Sequence, residues 1–557
     1  MVSKAIKIFL DLFIRLRMVW IKYFCFDPLI SKTKQPSKYQ DLLLRSILKA
    51  NKGTVYGKQL GLERINSYRD FSATVNVHTY EDLRMLIENQ EIKKKPMLNA
   101  EQPIMYAQTS GTTGEPKYVP ILKSTVKNYK YSQNIFAYAQ YSTFPDIFFG
   151  KILAIVSPDI EGFLETGTPF GSMSGFIYKS MPSILHQRYV LPSEIFEIDN
   201  YDDKYYMIAA FALAESEITM LATANPSTIL KILNTINENS VQLIRDIETG
   251  ELSVKSTLDC VKLSAIKRRF KRQPERANKL KFLVREKGFI GFTDVWPNLR
   301  LVSTWTAGNC SVLLPSLRKQ LATNAVISEM GYMASEFRGS ITIDIANNIQ
   351  IPTIHENFFE FVQRDDWENN IFKFKRLTEV EKDAQYYIIV TTQNGLYRYF
   401  INDIVEVTGW YNNTPTIRFV QKGRGVTNLT GEKLYETQVT NAVMNMMEDM
   451  NTTFEFFIMI AHRESSQYTL YVQHENIETR LEIELDRRLC KLNIEYENKR
   501  KSGRLGPVRV QCLGDKAAEE YKSHCIQKGQ REGQFKMVRL QYDNECNFDF
   551  NRYIVQR

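Results

Sequence analysis

The chain is short of cysteine pairs: its seven cysteines (Cys25, Cys260, Cys310, Cys490, Cys512, Cys525 and Cys546) are odd in number, widely spaced and include no C-x-x-C. That spacing argues against a structural zinc site or a disulfide framework and points to free thiols in a reducing compartment, the cytoplasm. Internal repeats, long low-complexity tracts and a nucleic-acid module are also missing. The 72 basic residues sit among 63 acidic ones, so the net charge of +9 reads as a mixed solvated surface. There is no uninterrupted apolar run long enough for a membrane span or a signal segment. Asp11, Arg15 and Arg17 break the N-terminal stretch, and no small-residue cleavage site follows.

What is present is ample core material: 557 residues, 43% hydrophobic and 12% aromatic, enough for more than one compact unit. Near the start, Ile6, Phe9, Leu10 and Phe13 recur at helical spacing, with Lys4, Lys7, Asp11 and Arg15 on the other side. This predicts an amphipathic helix packed against the large domain, the less favoured alternative being a peripheral membrane contact. From Tyr39 to about Lys422, helical stretches (39–49, 80–89) mix with strand-like runs (153–156, 386–392), the pattern of an α/β domain. After the glycine- and charge-rich segment 422–432 the pattern becomes a compact β-β-α-β-α series. Its strands are expected over 454–460, 468–473 and 508–512. One helix carries Ile477, Leu481, Leu485, Leu489 and Leu492, and another is capped by Asp515. We therefore expect an α/β fold of two units. Residues 1–425 form a large domain of mixed sheets flanked by helices, and 426–557 a small, mobile α+β cap.

The most informative segment is Y-A-Q-T-S-G-T-T-G-E-P-K-Y-V-P, residues 106–120. Gly111 and Gly114 let backbone N–H groups turn toward an anion, Thr109, Ser110, Thr112 and Thr113 add hydroxyl donors, and Lys117 supplies positive charge. Apolar stretches on both sides make this a strand–loop–strand element. It is not a Walker sequence, because two residues rather than four separate its glycines. Further along come G-Y-M-A-S-E (331–336) and G-L-Y-R-Y-F-I-N-D-I-V-E-V (395–407), the latter continuing as T-G-W-Y-N-N-T-P-T-I-R-F-V-Q-K (408–422).

In this order the three blocks resemble the phosphate loop, the aromatic-plus-glutamate motif and the ribose-binding motif of the acyl-adenylate-forming superfamily, which includes firefly luciferase. The 408–422 run is similar to the plant auxin-responsive acyl-acid amido synthetases and their bacterial relatives. Pro352, Phe359-Glu360-Phe361, Gly431-Glu432-Lys433 with Glu436, and Gly533-Gln534-Phe535-Lys536 extend the resemblance over roughly residues 40–540.

The resemblance implies an ATP- and Mg²⁺-dependent ligase. Ser110 to Lys117 would hold the β- and γ-phosphates, with Thr109 at the head of that loop. Tyr332 would lie against adenine beside Ser335, and Glu336 would ligate Mg²⁺. Asp403 would accept hydrogen bonds from both ribose hydroxyls. Lys536 would swing in with the cap as a catalytic cation alongside Lys117. Arg424, with Lys433 and Arg398, would contact phosphate or carboxylate. An ionised carboxylate suits a vicinal diol, and a hard oxygen suits Mg²⁺.

The implied reaction joins a small-molecule carboxylic acid to an amine or amino acid, with no nucleic-acid partner. Two departures stand out: the phosphate loop follows the general superfamily form, and Asn402 occupies the place usual for glycine. The first leaves open a coenzyme A or carrier-protein thiol as acceptor. A non-catalytic nucleotide-binding relative is the other alternative, disfavoured by the retention of Lys117, Glu336, Asp403 and Lys536. The second departure is tolerable, because asparagine enters positive φ more readily than most residues.

Overall fold

The computed structural model describes residues 2–109, 117–254, 260–423, 425–427, 429–430, 432, 434–474, 480–501, 503, 505–528, 530, 532, 535 and 537–555. Ser110, Gly111, Thr112, Thr113, Gly114, Arg424, Lys433 and Lys536 therefore lie outside the described residues.

A parallel sheet of Lys151–Ala154, Ile218–Ala222, Leu301–Thr304 and Val326–Glu329 forms the first layer, with helical connections between its strands. Leu153, Ile218, Leu221, Leu301 and Val302 in these strands are fully buried, as in a parallel sheet covered on both faces. The connecting helix Tyr201–Ala214 is buried at every position from Tyr205 to Ala214.

A second sheet holds Met105–Thr109 between Lys117–Ile121 (antiparallel) and Pro169–Gly171 (parallel). The two strands of the expected strand–loop–strand element are thus present and paired, with 110–116 outside the described residues. Thr109 pairs with Lys117 at the two ends of the glycine-rich loop.

A third, antiparallel sheet carries the ribose-type motif. Its order is Phe374–Arg376, Asn357–Gln363, Gln385–Thr392, Tyr399–Tyr411, Thr414–Lys422. The last two strands form a hairpin that turns at Asn412-Asn413, with Asn412 at φ +52°. A register shift in each strand offsets the other, so Asp403 still faces Lys422. Glu360, Arg398 and Asp403 all lie on or beside this sheet.

One hydrophobic core draws on residues from Leu10 to Ile417 and a second on residues from Leu434 to Leu540. The C-terminal sheet has the order Arg509–Leu513, Gln467–Gln473, Phe457–His462, Leu540–Tyr542. Strand Phe457–His462 sends Phe457, Met459 and Ala461 into that second core, and Ile458 and Ile460 into a third core with Tyr521 and Phe550. This alternation is the period-2 signature of a strand covered on both faces.

Two expectations need correction. Lys516, not Asp515, occupies the N-cap of helix Ala517–Gln527, and no side chain bonds the cap. The series also ends in a fourth strand, Leu540–Tyr542, whose three residues are too few for a periodic signal.

The N-terminal helix Val2–Ile21 forms as expected but with a different buried face. Leu10, Ile14, Met18 and Ile21 point inward, while Phe9 is exposed. No helix among the described residues is long and apolar enough to cross a membrane.

Candidate functional site

Residues Met333 to Arg338 make a tight turn closed by a bridge between those two residues and by Ala334 N–H donating to Phe337 O at 2.9 Å. Ser335 and Glu336 occupy its tip. Just before the turn, the Tyr332 ring is buried, with Phe419 stacked on it (centroids 5.4 Å apart) and Phe337 edge-on at 5.7 Å. Gly339 is required beside it, since a Cβ there would run into the Tyr332 ring. The Tyr332 hydroxyl then donates to Asp403 Oδ2 at 2.6 Å.

Asp403 is fully buried, and its second oxygen accepts from Lys422 Nζ at 2.7 Å. Lys422 itself is 40% exposed at its side chain, so half of this ion pair reaches solvent. Asn402, immediately before, adopts φ +61°, and its carbonyl accepts from Gly423 N–H at 2.9 Å. Asparagine here carries the left-handed conformation that glycine would otherwise supply. The position is therefore compatible with the usual backbone path.

Glu336 is buried, with one carboxylate oxygen 3.4 Å from the Tyr399 hydroxyl, a long contact that leaves the group weakly held among the described residues. Burial, with the Glu336 charge beside it, holds the Tyr399 phenol well above its ordinary range. Lys117 stands at the foot of the glycine-rich loop with Nζ 5.7 Å from the centre of the Tyr80 ring. The Tyr80 hydroxyl ties to Tyr118 by accepting its N–H at 2.7 Å and donating to its carbonyl at 3.0 Å.

Most of these residues, though not the fully buried Asp403, line two adjoining clefts. The first, about 1250 Å³, is lined by Lys117, Ser335, Glu336, Tyr399, Asn402 and Lys422 at its polar end. Tyr129, Phe136, Phe148, Ile155 and Phe337 line its apolar part, and Arg338 and Glu356 are buried within it. The second, about 1270 Å³, holds Tyr332, Phe419, Lys422, Glu436 and Arg539, and shares Lys422, Glu532 and Val538 with the first. Each exceeds the roughly 300–1,000 Å³ of a single small-ligand site. Residues from the C-terminal unit form part of both walls. They are held across by Lys231–Glu519 (2.8 Å) and by Asn225 Nδ2 donating to Phe535 O (2.9 Å).

Arg398, expected to meet a phosphate or carboxylate of the ligand, is instead engaged by the protein's own carboxylate. Its Nε and Nη2 bind both oxygens of buried Glu360 at 3.0 and 2.9 Å, and Nη1 donates to Ser72 O and Val75 O. Tyr68 adds a third bond to Glu360, at 2.9 Å. Glu432 plays a similar structural part beyond the hairpin: it accepts from the N–H groups of Leu429 and Thr430 and from the Tyr468 hydroxyl, each within 2.7–2.8 Å. Sequence reasoning missed Lys422, Tyr399 and Phe419. All three fall inside quoted blocks. Lys422 could have been found by counting outward from the Asn412-Asn413 turn to the position opposite Asp403.

The fold is that of the adenylate-forming ligases. A 2-hydroxyisobutyryl-CoA ligase solved in its postadenylation state superimposes with a TM-score of 0.50 at 12% identity, covering 92% of each chain. A GH3.15 acyl acid amido synthetase superimposes far better, with a TM-score of 0.84 at 21% identity over 95% of this chain and 96% of that one.

The chain belongs to the GH3 family. Models of the family's N-terminal, central and C-terminal domains match residues 26–325, 350–422 and 437–545. Indole-3-acetic acid-amido synthetase GH3.4 of Arabidopsis thaliana is 24% identical over 91% of this chain and 89% of its own length. Jasmonoyl--L-amino acid synthetase JAR6 of Nicotiana attenuata is 26% identical over 74% and 73%. The chain is accordingly a ligase of the acyl-acid amido synthetase type.

Proposed function

We propose that this protein activates a carboxylic acid as its adenylate and transfers the acyl group to an amino acid, forming an amide. The observation that carries the reading is the Asp403 assembly. It combines a buried carboxylate bound by Tyr332 and by a half-exposed lysine, Lys422, that lines the same cleft as Glu336 and Lys117.

In the first step a carboxylate oxygen of the acid attacks the α-phosphorus of ATP and pyrophosphate leaves. In the second, a neutral amine attacks the acyl carbon, AMP leaves and the amine gives up a proton. Both steps develop negative charge on phosphate, which preorganised donors and cations stabilise.

In this reading Asp403 accepts from the ribose hydroxyls, with Tyr332 and Phe419 walling the adenine side and Ser335 beside them. Thr109, Ser110, Gly111, Thr112, Thr113 and Gly114 hold the phosphates together with Lys117. Arg424 is a phosphate contact. Lys536, carried by a mobile 426–557 cap over a 1–425 large domain, neutralises the reacting carboxylate and α-phosphate.

Glu336 fits Mg²⁺. The ion typically takes one or two carboxylates, its other ligands being substrate phosphates and water, and the Glu336 carboxylate is weakly held among the described residues. When bound there, the ion would draw charge from the phosphate oxygens. The apolar wall of the first cleft fits an acid with an apolar body. Seven free cysteines are consistent with a cytoplasmic location.

Screening carboxylic acids for acid-dependent exchange of labelled pyrophosphate into ATP tests the reading. At least one apolar acid should drive exchange. Tight ATP binding with no exchange across a broad library would favour a non-catalytic nucleotide-binding protein.

A further inference from the structure

The N-terminal helix has no polar face turned to solvent. Ten residues between 7 and 24 are exposed: Lys7, Ile8, Phe9, Leu12, Arg15, Leu16, Val19, Trp20, Tyr23 and Phe24. Eight are large apolar or aromatic side chains, each 48–64% exposed. They fall on the side opposite Leu10, Ile14, Met18, Ile21 and Cys25, which are buried. Single exposed hydrophobics are ordinary, but eight within seventeen consecutive residues form one continuous stripe. At 1.5 Å per residue that stripe is roughly 25 Å long.

The helix is fixed to the body of the protein. Arg17 Nη2 donates to Asn134 Oδ1 at 3.1 Å, the Tyr131 hydroxyl donates to Cys25 O at 2.9 Å, and Phe26 packs on Tyr138. The stripe is therefore presented by a docked element.

Charge decides what covers it. Of the ten exposed residues two are cationic and none is acidic. The one acid in the segment, Asp11, is turned aside into an ion pair with Arg188. The Arg15 guanidinium lies 4.5 Å from the centre of the Phe149 ring, at the edge of the stripe. A second copy laid face to face would bring cations together with no counter-charge. An anionic lipid surface supplies that charge, and its headgroup–acyl boundary suits Trp20, Tyr23, Phe24 and Phe9. This composition, apolar with aromatics and rimmed by Lys and Arg, is that of a helix lying in a membrane interface.

We infer that the exposed face of helix Val2–Ile21 and the turn after it seats the protein on an anionic bilayer surface, without crossing it.

The test is flotation of the full chain with phosphatidylcholine vesicles containing about one third phosphatidylserine, compared with pure phosphatidylcholine. Wild type should float with the anionic vesicles, less in high salt and less with the neutral ones. The exposed-face double substitution Leu16→Glu and Trp20→Glu should lower the bound fraction about tenfold or more. It should leave the unfolding midpoint and ATP–pyrophosphate exchange unchanged. Failure of wild type to float, or equal flotation of the double variant, overturns the inference. So does a lipid-free dimer, without flotation, that the same substitutions abolish, since it gives the face to a second copy.

Discussion

Two carboxylates of one sheet, Glu360 and Asp403, are equally buried and differently held. Glu360 is locked by a bidentate arginine that is itself buried and by the Tyr68 hydroxyl. Burial pushes its pKa up while Arg398 pulls it back. Asp403 is held by one tyrosine hydroxyl and by a lysine that reaches solvent. The first arrangement is closed: its cation is itself buried, and releasing it strands a charge. The second is open on one side, because the Lys422 side chain reaches solvent and, in the proposed reading, would yield its place to a ligand hydroxyl. A carboxylate at the same burial is thus locked into the protein in one place and left with an exposed partner in the other. The difference lies in whether the partner cation is accessible.

The sharpest way to break this contrast is to remove one partner from each pair. Arg398→Ala should destabilise the fold by about 3–5 kcal/mol, since Glu360 is left charged and unpaired, and denaturant unfolding reads this directly. A shift below about 1 kcal/mol would mean that the pair is not closed. Asp403→Ala should instead cost catalysis, by roughly 2 kcal/mol or more in acid-dependent pyrophosphate exchange, with a smaller stability change than Arg398→Ala. Unchanged ATP dependence in a folded Asp403→Ala variant removes the ribose role.

A third carboxylate refines the scale. Glu356 lies within the first cleft, bonded by Ser132 at 2.8 Å, and burial pushes it up to about 7. Its folded value is above its unfolded one, so its contribution is present at low pH and lost as pH rises from about 4.5 to about 7. Neighbouring His355 is lowered to about 3 by burial and works the opposite way, costing stability as pH falls below about 6.5. Glu356→Gln removes the first effect alone. Its unfolding midpoint relative to wild type should rise between pH 5 and pH 8, by an equivalent of about 1–3 kcal/mol. An equal offset at both pH values would show that Glu356 ionises freely.

Much of this was legible in the sequence where local signals agree. The two apolar runs beside the glycines gave the paired strands, and the ordered motifs that hold Tyr332 and Asp403 meet in the structure. Arg398 was misread because nothing local distinguishes an arginine aimed at a ligand from one aimed at Glu360, 38 positions away and two strands across. The buried face of the N-terminal helix was misread for a related reason. Apolar residues occupy both sides of it, so periodicity alone does not choose which side meets the body. Lys422 was missed because nothing beside it in the sequence marks it; its place opposite Asp403, 19 positions away, is set by the hairpin as a whole.

The most direct test of the account is product analysis of the purified protein given ATP, Mg²⁺, an acid that drives exchange, and each of the twenty amino acids or coenzyme A in turn. The account predicts ATP-dependent formation of an acyl–amino acid amide, with faster ATP use in the presence of the matching amino acid. A coenzyme A thioester with no amide from any amino acid would contradict it.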